Sequence, residues 1–182
     1  GTYGIARDIS EKKRAEEIIR FQHNHDLLTG LPNRNLLNEQ ITVHLSHAKR
    51  NNEKLALLYI DIYRFKLIND TYGQDVGDEV IQAIAGILER NTRKVDTVAR
   101  FGGDEFIILL PAIHSEQDAL NVADKIIQET SYPLQLDSNE VHVTLSIGMA
   151  IYPDTGATKE QLLRNADIAV CTSKQTSRSN IC

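Results

Sequence analysis

The sequence predicts an α/β (α+β) domain in which helices cover one central sheet. Three observations carry this. Strand-like and helix-like runs alternate along the 182 residues. A glycine pair joins two of the strand-like runs as a hairpin would, which makes those two antiparallel. Hydrophobic residues make up 41 % of the chain, enough to bury the core of one ordinary domain with an appendage.

The elements follow in order. Residues 1–9 (GTYGIARDI) read as the end of a β-strand, with glycines, a β-branched residue and a closing Arg-Asp. Ser10 then caps a helix over 11–25, on which Ala15, Ile18, Ile19 and Phe21 form a narrow apolar stripe. Spacing alone supports a surface helix packed on its own domain, since a coiled-coil stalk needs more heptads than are present. Gly30, Pro32 and Asn33 punctuate a turn. A helix over 34–49 follows, with Leu36, Leu37, Ile41 and Leu45 on one face. Residues 55–62 (LALLYIDI) are short, apolar and bounded by polar residues, as in a buried central strand. Gly73 and Gly77 mark a loop before a helix over 78–91. Strands are predicted over 97–101 and 105–110; Gly102-Gly103 between them would tolerate the positive φ of a tight turn. A helix over 115–130, an alternating strand over 141–152 and a last helix over 158–173 complete the chain.

The net charge of −5 argues against a broad nucleic-acid-binding surface, although it permits a small basic cluster for a phosphorylated ligand. Cys171 and Cys182 form neither a metal-spacing pattern nor a disulfide framework, which fits a reducing cytoplasm. No apolar run is long enough to span a bilayer, and no signal peptide is visible. The reading is therefore a cytoplasmic fragment with no membrane contact of its own, cut from a larger signalling protein that can itself be membrane-anchored.

Two constellations can carry chemistry. Asp61 stands near the end of an apolar strand, where a carboxylate is costly to bury unless it is paired or metal-bound. Asp104 and Glu105 sit at the glycine hairpin. Carboxylates converging from two adjacent elements make a hard-cation site suited to Mg²⁺ holding substrate phosphates. Taken alone, Asp104 and Glu105 are simply turn residues in solvent. The second constellation is Arg64-Phe65-Lys66-Leu67-Ile68-Asn69-Asp70 followed by Gly73, Gly77 and Asp78. Lys66 follows the strand where a helix can begin, a place suited to phosphate. The Asp78 carboxylate can accept the two parallel hydrogen bonds that guanine N1–H and N2–H₂ present, and Asn69 offers both donor and acceptor. Singly, Asn69 and Asp78 read equally well as helix caps, and Lys66 as a solvated charge.

Their order along the chain changes the balance. Asp26-Leu27-Leu28-Thr29-Gly30-Leu31-Pro32-Asn33-Arg34 comes first, then Asp61…Phe65-Lys66…Asn69-Asp70…Gly73…Gly77-Asp78, then Arg100-Phe101-Gly102-Gly103-Asp104-Glu105-Phe106. This set resembles the GGDEF family, the diguanylate cyclases, over about 26–179. The resemblance implies a central, mostly antiparallel sheet similar to the palm of nucleotide polymerases and class III nucleotidyl cyclases. It implies a homodimer that condenses two GTP into cyclic di-GMP and releases two pyrophosphates. Asp61, Asp104 and Glu105, with the Ile62 carbonyl, would hold Mg²⁺ (or Mn²⁺), and Asp104 is also a candidate proton acceptor. Asn69 and Asp78 would read guanine, while Phe65, Lys66, Lys174 and Arg178 would cradle the triphosphate. Arg93-Lys94-Val95-Asp96 matches the family's inhibitory RxxD site for the product. Gly4 to Lys13 resembles the last strand and exit of a PAS sensor domain. In that context the preference shifts from a packed helix to a signalling stalk. The organisation implied is a PAS-like remnant at 1–9, a linker helix at 10–25 and a GGDEF domain over 26–182, its C-terminus cut before the final strand is complete.

The match has departures. Tyr63 replaces the second aspartate of the Asp-x-Asp strand motif, so metal binding is expected to be weakened rather than abolished. Gln74 replaces a histidine, Cys171 a tyrosine, and Ser177 and Ser179 replace glycine and asparagine around Arg178. Three functions compete. The first is an active cyclase. The second is a module that binds GTP or cyclic di-GMP to regulate a neighbouring domain such as a phosphodiesterase. The third, a purely structural dimerisation module, would not need this array of polar residues.

Overall fold

The computed structural model describes residues 2–174 and 181, with the side chains of 2, 3 and 172–174 outside that description. The chain runs α1 (Thr2–Asn24), α2 (Arg34–Asn51), β1 (Lys54–Ile62), α3 (Phe65–Tyr72), α4 (Gln74–Arg90), β2 (Thr97–Arg100), β3 (Glu105–Ile113), α5 (Glu116–Thr130), β4 (Leu134–Gln135), β5 (Glu140–Val141), β6 (Leu145–Tyr152) and α6 (Lys159–Lys174). A four-stranded sheet has the order β2-β3-β1-β6, and every neighbouring pair in it is antiparallel. The predicted α+β class, with helices flanking an antiparallel sheet, is the class observed.

Alternation along β1 divides the core. Ala56, Leu58, Ile60 and Ile62 face α4 and α5, packing with Val80, Ile81, Ile84, Leu88, Ala123 and Ile126. Leu55, Leu57 and Tyr59 face the other way, onto Leu37 and Ile41 of α2 and Leu162, Ala166 and Val170 of α6. Each fully buried leucine or isoleucine contributes about 1.5–3 kcal/mol by leaving water. By the same alternation Asp61 belongs to the α2/α6 face, at the end of the strand where that cover stops.

Several expectations needed correction. Residues 2–9 continue α1 rather than ending a strand. No strand of either sheet borders them, so their backbone groups are satisfied inside a helix. The packed-helix alternative for α1, which spacing alone favoured, does not hold: Ile18 and Ile19 are 56 % and 65 % exposed, and Ile5, Ile9 and Phe21 are also exposed. Gly77 lies inside α4, not in a loop. The break falls one turn earlier at Gly73, whose φ of 93° lets it end α3 and begin α4 at one residue. The strand predicted over 141–152 is split. Val141 turns aside to pair with Leu134 in a two-stranded ribbon, and β6 starts at Leu145. The single bridge from Ile147 to Ile181 is parallel.

α1 is fastened to the domain at its end. The Asn33 and Asn35 side chains both donate to the His23 carbonyl, and Asn33 N–H donates to Asn24 O at 2.9 Å. Asn33 also caps α2 by accepting from Leu36 N–H.

Candidate active site

β1 and β3 bring the acids together. Asp61 stands directly opposite Glu105 on one side and Ser146 of β6 on the other. Asp61 is 5 % exposed, and Ser146 is buried beside it. One residue on, Ile62 N–H donates to the Asp104 carbonyl at 3.2 Å, which ties the glycine turn to the end of β1. The turn itself differs from expectation. Neither Gly102 nor Gly103 has positive φ; among the described glycines that conformation belongs to Gly30 and Gly73. Phe101 and Gly102 N–H groups both donate to the Glu105 carbonyl instead. Gly102 leaves room for the carboxylate: a Cβ there would lie 2.8 Å from Glu105 Oε2 and press that flexible group aside.

Glu105 has a partner that motif reading missed. The Tyr59 hydroxyl donates to Glu105 Oε2 at 2.8 Å. Burial raises the Tyr59 pKa, and the hydrogen bond and charge of Glu105, with Asp167 and Asp61, push it further up. The signal was present in the sequence. Tyr59 is the one polar-tipped residue in an aliphatic strand, two positions before Asp61 and therefore on its face.

Arg100 holds the turn from outside. Its guanidinium donates to the Gly103 carbonyl through Nε (3.2 Å) and Nη2 (2.8 Å). Nη1 donates to both Asp26 carboxylate oxygens at 3.1 and 3.2 Å. Asp26 also accepts from Thr29 N–H and Oγ1. Burial pushes the Asp26 carboxyl upward, but the hydrogen bonds from Thr29 and Arg100 outweigh it and hold it below its ordinary value.

The second constellation lines the start of α3 and α4. Phe65 and Lys66 open α3, with Phe65 packed against the core and Lys66 exposed. Arg64 precedes them in the left-handed region at φ 53°, so α3 begins without a side-chain cap. Asn69 points at Gly77, where any Cβ would collide with its amide. Its buried Oδ1 has no hydrogen-bond partner among the described residues, and Asp78 is the residue after Gly77. An acceptor held in this way matches an exocyclic amine donor such as that of guanine. Tyr63 lies just past β1, its N–H donating to Thr144 O at 2.8 Å and its ring under the Arg64 guanidinium. Lys174 is the last residue of α6, with its side chain outside the description, and Arg178 lies outside the described residues.

Arg93 and Asp96 meet in the turn before β2. The Asp96 side chain is fully enclosed, accepting from Arg93 N–H at 2.7 Å and from its guanidinium at 2.9 and 3.3 Å. Arg93 also donates to Pro111 O. A ligand at this turn meets the 57 % exposed guanidinium side chain first.

The donors at the end of β1 are carboxylate and carbonyl oxygens, the ligands of a hard divalent cation. Among the described residues no group of three or more acidic, histidine or cysteine side chains is close enough to cage a metal alone. That donor set fits Mg²⁺, which takes one or two carboxylates and completes its shell with water and substrate phosphates. Among the described residues no helix is long and apolar enough to cross a membrane.

A family model for the diguanylate cyclase GGDEF domain matches residues 23–180. The chain is 42 % identical over 163 residues to the diguanylate cyclase TpbB of Pseudomonas aeruginosa (strain UCBPP-PA14), covering 89 % of this chain and 38 % of that protein. It is 39 % identical over 158 residues to the bifunctional diguanylate cyclase/cyclic di-GMP phosphodiesterase MucR of P. aeruginosa, covering 87 % and 23 % respectively. The chain thus spans well under half the length of either relative. The solved GGDEF domain of TpbB from P. aeruginosa (PAO1) superposes with a TM-score of 0.84 at 42 % identity, covering 86 % of this chain and 92 % of that one.

Proposed function

The chain belongs to the GGDEF family of diguanylate cyclases, and from that premise we propose that it condenses two GTP into cyclic di-GMP as a homodimer. The observation that carries this is the Asp61–Glu105 pair at the end of β1, bonded through Ile62 to the Asp104 turn. A buried Asp61 facing a half-buried Glu105 suits triphosphate chemistry better than a structural role, because like charges set side by side disfavour ionisation unless a cation joins them. Asp61, Asp104 and Glu105 with the Ile62 carbonyl would hold Mg²⁺ or Mn²⁺, which when bound neutralises phosphate charge and acidifies the attacking hydroxyl.

The remaining steps belong to the chain's own residues. Asn69 and Asp78 hold guanine by accepting from its N–H edge, with the orphan Asn69 Oδ1 as one acceptor. Lys66 and the open first turn of α3 bind phosphate oxygens, with Lys174 and Arg178 approaching from the C-terminal side. Each protomer presents one GTP to the other. The 3′-oxygen of one bonds to the α-phosphorus of the other, the α–β phosphoanhydride breaks, and pyrophosphate leaves. Asp104 is positioned in sequence to take the hydroxyl proton. At the RxxD site the exposed Arg93 guanidinium, held by Asp96, binds the product and slows the enzyme.

Tyr63 favours a second reading. It stands where a second acid is expected. The domain would then bind GTP or cyclic di-GMP and regulate a neighbouring domain. One experiment separates the two. The protein, fused to a dimerising partner, is incubated with GTP and Mg²⁺, and cyclic di-GMP and pyrophosphate are measured. Product well above an Asp104→Ala control is expected. No product with tight GTP binding supports the regulatory reading instead.

A further inference from the structure

Tyr59 does work that no family motif assigns to it. It is 6 % exposed in the middle of β1, between Ile107 of β3 and Gly148 of β6. Its ring is met edge-on by Phe101 at 5.8 Å and 73°, and Phe101 is covered by the Arg34 guanidinium at 3.9 Å. That fixes the hydroxyl. It reaches diagonally across the sheet to Glu105 Oε2, 2.8 Å away. Gly102 completes the cradle, because a side chain there would press on the same oxygen.

A neutral donor has a particular value in this place. Lysine or arginine at the same position would pair with Glu105 and compete with a cation for it. A hydroxyl orients the carboxylate and leaves its charge in place. At 2.8 Å from Glu105 Oε2 the hydroxyl is the donor and the carboxylate the acceptor. With Tyr63 in place of an acid, fewer carboxylates stand at this end of β1, and the orientation of each matters more.

We propose that Tyr59 is a positioning residue, whose hydroxyl holds the Glu105 carboxylate in the orientation that receives the divalent cation of the nucleotide complex. This rests on the cyclase reading of the site. The test is Tyr59→Phe, which removes the donor and keeps the ring. Mn²⁺ is titrated by calorimetry into protein saturated with a non-hydrolysable GTP analogue. The half-saturating Mn²⁺ concentration should rise about tenfold, as expected for losing a hydrogen bond to a charged group. The KM for GTP at saturating metal should stay at the wild-type value, and the melting temperature without ligand should fall by only about a few degrees, the cost of one hydrogen bond. In a Glu105→Gln background the same substitution should add almost nothing.

An unchanged Mn²⁺ midpoint overturns the proposal, and so does an equal loss in the Glu105→Gln background, which would make Tyr59 a packing residue only. If Tyr59→Phe does not fold, Gly102→Ala displaces the same oxygen, and an unchanged midpoint there overturns the proposal equally. Wild-type protein that shows no metal-dependent binding of the analogue overturns the cyclase reading itself, a different result from any of these.

Discussion

Two turns flank β2, and each sets an arginine against an aspartate. Before the strand, Arg93 and Asp96 are three residues apart and close on each other, the guanidinium outside and the carboxylate fully enclosed. After it, Arg100 faces Asp26, 74 residues away, with side chains 18 % and 22 % exposed. The chemistry is the same and the consequence differs. The first pair fixes the shape of one turn and leaves a cation in solvent. The second joins two distant parts of the chain, because the same guanidinium also holds the Gly103 carbonyl of the acid-bearing turn. Asp26 follows the end of α1 directly, so the helix, the wide turn at Asp26–Leu31 and the glycine turn form one bonded series.

The comparison breaks most visibly at Asp26. Asp26→Asn leaves Arg100 half-buried without its carboxylate and should destabilise the domain by about 2 kcal/mol at neutral pH. Urea midpoints measure this. The pH dependence carries its own sign. The folded carboxyl lies below its ordinary value of 3.8, so its contribution is fully present above that value and is lost as pH falls through the folded pKa. The stability gap between wild type and Asp26→Asn should therefore be widest above about pH 5 and narrow below pH 4. A gap constant from pH 7 to pH 3 would mean that the Asp26 charge contributes nothing.

How much of this was legible in the sequence divides along the same line. Local features were readable: Asn33 as turn punctuation, LALLYIDI as a buried central strand, and Arg93 with Asp96 as one RxxD motif before the hairpin. One hairpin and one helix-covered sheet were readable from the pattern; the antiparallel order of the whole sheet came from the family resemblance. Contacts across the fold were not readable. Asp26 and Arg100 were both quoted within motifs, yet nothing in spacing could bring them together. Tyr59 passed as one more apolar strand residue, because its hydroxyl matters only once β3 lies alongside. Gly102 was read as a turn residue with positive φ, which it does not have; room for the Glu105 carboxylate is what it supplies. Residues 2–9 failed differently. Among the described residues no strand lies beside them, and strand-like composition is a weak preference that context overrides.

A smaller effect is expected at the other turn. Arg93→Ala removes the guanidinium from Asp96, but the Arg93 N–H still donates to that carboxylate. The cost should be about 1 kcal/mol. Binding of cyclic di-GMP, by contrast, should fall by about tenfold or more, since the exposed guanidinium is the group a phosphate or a guanine face would meet first. Calorimetry with cyclic di-GMP gives both the affinity and the stoichiometry. Unchanged affinity would remove the inhibitory-site assignment and leave this pair a purely structural one.

The smallest change in stability, and the sharpest use of the comparison, is at Gly102→Ala. The new Cβ meets only the carboxylate end of Glu105, a flexible group, and Gly102 needs no special backbone conformation. Stability should change by less than about 1 kcal/mol. The turn as a whole should not move, because Arg100 still grips the Gly103 carbonyl and Ile62 still donates to Asp104. What must move is Oε2, off the Tyr59 hydroxyl. Near-wild-type urea midpoints combined with a raised requirement for Mn²⁺ would therefore locate the effect in the Glu105 orientation. A large loss of stability would show instead that the glycine turn is held less firmly by Arg100 than its bonds indicate.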